Sequence, residues 1–157
     1  MNAADILKIA TARGLRITTA ESCTGGMVAA ALTDLAGSSA MFEFGFVAYS
    51  NAAKIQLLDV QMNTLDQFGA VSEQVAAEMA KGAKTATNAD IAVSISGIAG
   101  PGGSNFKPEG RVCFGLTTVS GTITQTVEFG AIGRENVRIA AKDHALGLIL
   151  MNLENDG

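Results

Sequence analysis

The 157 residues include no tryptophan, one tyrosine, two prolines, two cysteines and one histidine. Each scarcity removes a class of function. Cys23, Cys113 and His144 together fall short of a structural zinc site, which wants three or four Cys/His ligands, and two cysteines make no disulfide framework. Both thiols are therefore expected free, in a reducing cytoplasm, with no metal. No Lys or Arg follows another, and the net charge is −4, so a duplex-binding surface, which needs clustered base, is not expected. No run of 18 apolar residues exists to span a membrane. Asp5 and Lys8 interrupt the first apolar stretch and argue against a signal peptide. A single histidine also leaves Ser-His-Asp and Cys-His schemes dependent on one position.

What is present is a core-forming composition, 48% hydrophobic and 17% charged with 18 glycines, read as one domain over residues 1–157. The spacing predicts a helix over Asp5–Arg13, a strand over Leu15–Ala20 and an Ala-rich helix ending near Ala36. Phe42–Tyr49 reads as a strand with Phe42, Phe44, Phe46 and Ala48 on one face. Ser50-Asn51 starts a short helix through about Leu58. Ser72 caps the clearest helix, whose stripe of Val75, Ala76, Met79, Ala80, Ala83 and Ala86 is small enough to lie close on a sheet. Ile91–Ile98 is apolar and β-branched, as a buried central strand should be. Arg111–Val119 and Thr122–Phe129 form a hairpin about Ser120-Gly121, and a helix from Arg134 to about Leu153 closes the chain. Strands alternating with helices before one antiparallel hairpin define an α/β class with a mixed sheet.

In such sheets ligands sit beyond the carboxyl ends of the strands. That points to three loops: Glu21–Gly26, Tyr49–Lys54 and Gly97–Gly110. In the first, a strand passes through Ser22-Cys23-Thr24-Gly25-Gly26 into a helix, aiming backbone N–H groups at one spot suited to a phosphate or an oxyanion. Ser22 is either the helix cap or a nucleophile. Cys23 is the rival nucleophile, because a helix start lowers a thiol pKa. His144 shares a helical phase with Val137, Ala141 and Leu148, which makes it a core residue. A serine nucleophile then needs another base, and a lysine with a depressed pKa can act as one. Tyr49 and Lys54 sit where a strand end and the next helix could bring them to Ser22; otherwise Tyr49 merely ends a strand and Lys54 is a solvated helix lysine. The loop Ser96–Gly103 matches neither a Rossmann fingerprint nor a P-loop. Arg134 and Arg138 open the last helix and could grip a phosphate or pair with Glu135 or Asp143.

The stretches TAESCTGG (Thr19–Gly26), GSSAMFEFGFVAYSNAAK (Gly37–Lys54), FGAVSEQVAAEMAKGA (Phe68–Ala83), SISGIAGPGG (Ser94–Gly103) and KPEGRV (Lys107–Val112), in this order, resemble the CinA C-terminal domain family over essentially the whole chain. The resemblance implies a three-layer α/β/α sandwich with a mixed, mostly parallel sheet. It implies hydrolysis of the carboxamide of nicotinamide mononucleotide to nicotinate mononucleotide and ammonia; that chemistry needs neither metal nor cofactor, and the cysteine usage above already points to the cytoplasm. Ser22 would be the nucleophile and Tyr49 and Lys54 the proton-handling pair. Cys23, Thr24, Gly25, Gly26, Gly97, Gly100, Gly102 and Arg134 would bind the nucleotide. The implied partner is a small-molecule nucleotide, and the charge and hydropathy above leave neither nucleic acid nor membrane as an expected partner; a homo-oligomer is compatible with the small-residue helices. The alternative is a non-catalytic nucleotide-binding or regulatory module of this competence/damage-inducible family. The chain departs from the family's common Lys-Pro-Val-Gly at Glu109, in a short 101–110 loop.

Overall fold

A computed structural model describes residues 2–156. The elements run α1 (Asn2–Arg13), β1 (Ile17–Glu21), α2 (Met27–Thr33), a 3-10 turn (Ser38–Ala40), β2 (Phe42–Val47), α3 (Asn51–Leu58), α4 (Met62–Phe68), α5 (Glu73–Thr87), β3 (Ile91–Gly97), β4 (Arg111–Thr118), β5 (Gly121–Glu128) and α6 (Arg134–Asn155). Ser50 and Ser72 cap α3 and α5, their hydroxyls accepting from the N–H groups of Ala53 and Val75. Among the described residues no helix is long and apolar enough to cross a membrane.

The five strands form one sheet in the order β2-β1-β3-β4-β5. β1 is parallel to both β2 and β3, while β4 runs antiparallel to β3 and to β5. Four of the five strands therefore point one way. The chain leaves β1 toward β2 and leaves β3 toward β4, so the carboxyl ends of β1 and β3 flank a topological switch point, where α/β sheets open a crevice.

Side-chain parity separates two cores. Ile91, Val93 and Ile95 of β3 and Val112, Phe114 and Leu116 of β4 pack against α1, α2 and α6 through Ile6, Val28, Leu32, Val137, Ala141 and Ile149. The opposite face carries small residues in the middle of the sheet, and α5 lies directly on it. The Ser94 hydroxyl donates to the Ala76 carbonyl, and a Cβ on Gly115 would stand 2.6 Å from that same oxygen. The layers are thus helix, sheet, helix. His144 packs on the Phe114 ring at a centroid distance of 4.5 Å, with its Nε2 2.7 Å from Gln125 Oε1. Burial lowers its pKa.

Three local expectations fail for identifiable reasons. The Ala-rich helix stops at Thr33, short of Ala36, where the chain turns through Asp34–Gly37. The α5 stripe ends at Ala83, and Ala86 is exposed beyond the edge of the core. In β2 the four residues placed on one face do not share it. The register runs Ile17↔Phe42 but Thr19↔Gly45, a bulge that leaves Glu43 and Phe44 opposite Thr18. Phe42 consequently packs into the α2/α6 core, Phe46 and Ala48 into the α3/α5 core, and Phe44 faces solvent.

Candidate active site

Alternation along β1 decides what the first loop presents. Ile17 joins the α2/α6 core and Glu21 reaches the same layer, whereas Ala20 and Ser22 turn toward α3 and α5. The fully buried Glu21 carboxylate accepts from the N–H groups of Val28 and Ala29 at 2.9 and 3.0 Å. Helix α2 begins at Gly26 with no side-chain cap of the usual kind, so Glu21 supplies the acceptors from the end of the preceding strand. Ser22 is not the cap. Its hydroxyl accepts instead from Lys54 Nζ at 3.1 Å.

Lys54 lies one turn into α3, after the Ser50 cap, and only 2% of it is exposed. Its ammonium has a second acceptor, the Tyr49 carbonyl at 3.4 Å. Burial lowers the Lys54 pKa below the ordinary 10.5; a Cys23 thiolate would work in the other direction. Lys54 makes no salt bridge among the described residues, so desolvation of the ammonium is not offset by a carboxylate. The solvated-lysine alternative does not describe it.

Tyr49 reaches the site differently from expectation. Its backbone holds Lys54, while its phenol, 57% exposed as a residue, accepts from Arg134 Nη2 at 2.9 Å. Arg134 also donates from Nη1 to the Gly100 carbonyl at 2.7 Å, tying the start of α6 to the loop after β3. Arg134 and Arg138 thus do not pair with Glu135 or Asp143. Arg138 instead donates to the carbonyls of Cys23 at 3.0 Å and Thr24 at 3.4 Å.

These side chains border a cleft of about 370 Å³. Ser22, Cys23, Tyr49, Lys54, Gly97, Gly100, Gly102 and Arg134 line it, whereas Thr24, Gly25 and Gly26 do not. The Gly25 N–H is also engaged, with the Ser22 carbonyl at 3.0 Å. The loop after β3 carries wall residues that sequence reasoning did not single out, Ser104 and Asn105 among them; Ser96 lines the wall from the end of β3 itself, and Asn51 adds another from α3. Lys107 closes one side, its ammonium bonded to the carbonyls of Phe68 and Val71. Glu109 Oε1 accepts from the Gly102 N–H at 2.7 Å, bracing the rim from outside. The cations Lys54, Lys107 and Arg134 line the cleft, and among the described residues no carboxylate does.

Cys23 stands beside Ser22 but differs from it chemically. Its thiol is buried, and burial pushes its pKa up to about 11, against the lowering effect of Arg138 and Lys54. It is neutral near pH 7, and His144 is engaged with Gln125.

The fold and cleft define an α/β/α protein with a serine–lysine pair at the carboxyl end of its switch-point strand. The chain belongs to a known family of that architecture: the CinA C-terminal domain model matches residues 2–153. It is 57% identical over 136 residues, 86% of this chain and 82% of the relative, to "Nicotinamide-nucleotide amidohydrolase PncC" of Escherichia coli strain K12. The PncC of Enterobacter agglomerans is 56% identical over 131 residues, covering 83% of this chain and 80% of that one. The crystal structure of the competence/damage inducible protein CihA from Agrobacterium tumefaciens superposes with a TM-score of 0.93 at 45% identity, over 98% of this chain and 93% of the other.

Proposed function

We propose that the chain hydrolyses the carboxamide of nicotinamide mononucleotide, releasing nicotinate mononucleotide and ammonia, with Ser22 as nucleophile and Lys54 as its base. The observation that carries this reading is the 3.1 Å contact between Lys54 Nζ and Ser22 Oγ inside a cleft where the lysine pKa is depressed. A neutral amine there takes the Ser22 proton as Oγ bonds to the carboxamide carbon, and the carbonyl electron pair moves onto oxygen. The protonated Lys54 then gives that proton to the departing nitrogen. Water, deprotonated by the same amine, then adds to the ester carbon; as the carbonyl re-forms the Ser22 oxygen leaves and takes that proton back from Lys54, freeing the acid. The N–H groups of Cys23 and Thr24, which follow the nucleophile, are the donors this reading assigns to the developing oxyanion; the Gly25 N–H is already given to the Ser22 carbonyl.

The cations of the cleft favour a phosphate-bearing substrate over a neutral amide. Arg134 is the phosphate ligand in this reading, because it retains donors beyond those given to Tyr49 and Gly100. Tyr49 positions both cations, one through its carbonyl and one through its phenol. The names of the two PncC relatives support the substrate. The deciding measurement is ammonia release from nicotinamide mononucleotide by wild type, Ser22→Ala and Cys23→Ala. Activity should fall to background in the first variant and persist in the second. Nucleotide binding with no release by the wild type would establish the regulatory-module alternative instead, and loss confined to Cys23→Ala would establish a cysteine nucleophile.

A further inference from the structure

Arg138 takes no part in the chemistry above and lines no part of the cleft, yet it holds the loop that carries Ser22. It lies partly buried in the first turns of α6, directly behind that loop. Its Nε donates to the Cys23 carbonyl at 3.0 Å and its Nη2 to the Thr24 carbonyl at 3.4 Å. It makes no salt bridge among the described residues, so its charge rests on two peptide oxygens rather than on a carboxylate. The neighbouring sequence makes room for it. Gly25 has φ +57, and a Cβ there would stand 3.2 Å from Arg138 Nη2.

A trans peptide unit is planar, with its C=O and N–H pointing in opposite directions. The carbonyl of Cys23 and the N–H of Thr24 belong to one such unit. Drawing that carbonyl toward α6 turns the Thr24 N–H away from α6, which packs on the sheet face opposite the one Ser22 and Lys54 occupy. A guanidinium on the carbonyl also polarises the amide and strengthens its N–H as a donor. The preceding unit is fixed similarly: the Ser22 carbonyl accepts from Gly25, which directs the Cys23 N–H the other way.

We infer that Arg138 is a positioning residue that orients and polarises the Cys23–Thr24 peptide so that its N–H receives the oxyanion formed when Ser22 attacks. This rests on the amidohydrolase reading. It separates the two arginines of α6: Arg134 holds substrate in ground and transition states alike, while Arg138 acts only as charge develops on oxygen.

The test compares wild type with Arg138→Gln and Arg138→Lys, using ammonia release from nicotinamide mononucleotide and two competitive ligands. One ligand is nicotinate mononucleotide, which binds without reaction. The other is the 3-formylpyridine mononucleotide. Ser22 Oγ can add to its aldehyde carbon, the Ser22 proton passing to Lys54 and the carbonyl electron pair to oxygen, giving a tetrahedral adduct. Arg138→Gln should lower kcat by about 10–100-fold, less than outright loss of a donor, with KM within about threefold. It should weaken the aldehyde by a similar factor and leave the acid unchanged. Arg138→Lys, which keeps the charge but not the forked geometry, should fall between. A kcat within twofold of wild type in Arg138→Gln, or equal weakening of aldehyde and acid, overturns the inference. If Arg138→Gln does not fold, Arg138→Lys decides by the same split, and unfolding of both makes Arg138 a structural clamp and also overturns it. Turnover persisting in Ser22→Ala would instead remove the reading on which the inference stands.

Discussion

Lys54 sits where a protein ordinarily places an apolar side chain, and two consequences of opposite kind follow. Catalysis needs its neutral form, so kcat/KM for amide hydrolysis should rise with pH through the depressed Lys54 pKa and level off before the ordinary 10.5. A profile that is flat, or that rises only above pH 10, would contradict a lysine base. Stability follows the same shift. Below the folded-state pKa both states carry the proton, and folding must bury the charge; between that pKa and 10.5 the unfolded chain binds more protons, so stability climbs with pH. Lys54→Met should therefore lose activity while gaining thermal stability at neutral pH. The gain is about 2–4 °C if roughly 1 kcal/mol is recovered in a chain of this length, and it should shrink as pH approaches 10.5. Thermal melts of both proteins across pH 6–10 measure it, and a variant less stable throughout would count against the burial argument.

At the scale of elements, the nucleophile loop depends on what ends β1. Glu21 caps α2 with both oxygens accepting, which makes its replacement by glutamine informative: the amide keeps the shape but sets an NH₂ against a backbone N–H. Glu21→Gln should cost about 1–3 kcal/mol, measured by denaturant titration, and a neutral effect would mean that the cap is not needed. Helix α3, which carries Lys54, rests on α5 at a point with no room for a side chain, since a Cβ on Gly82 would lie 1.8 Å from the Leu58 carbonyl oxygen. Gly82→Ala should displace α3 and reduce both stability and turnover; turnover at the wild-type level would show that Lys54 tolerates the shift. Caps that act locally, Ser50 and Ser72, were legible in the sequence, as was the buried run of β3, because each depends on neighbours in the chain. Of the two readings open for Ser22, the cap falls away because the acceptor for α2 is an acidic residue before the loop rather than a hydroxyl within it. The faces of β2 were misread because a bulge changes parity without changing composition. Ser22 and Lys54 could be named as candidates from residue types, but their contact is tertiary. The phenol of Tyr49 went to Arg134 for the same reason: that bond spans 85 positions, beyond any local pattern.

At the scale of the molecule, a net charge of −4 surrounds a cleft with three cations and, among the described residues, no carboxylate in its wall. The overall field repels anions while the cleft attracts them, so recognition of a phosphate must come from short-range contact. Arg134, exposed at the mouth and only partly engaged by Tyr49 and Gly100, is the group best placed to supply it. Two of the cleft cations already have fixed partners: Lys54 is bonded to Ser22, and Lys107 to two carbonyls. The phosphate increment should then depend mainly on one guanidinium, and salt should screen it because it is exposed. Raising ionic strength from about 0.02 to 0.3 M, which shortens the Debye length from roughly 20 Å to under 10 Å, should raise KM for nicotinamide mononucleotide several-fold. KM for the nucleoside, which lacks the phosphate, should hardly move. Arg134→Gln should raise KM for the nucleotide at low salt, flatten its salt dependence and leave the nucleoside's KM close to the wild-type value. Parallel salt responses for nucleotide and nucleoside, or an undiminished response in Arg134→Gln, would move the phosphate away from the start of α6.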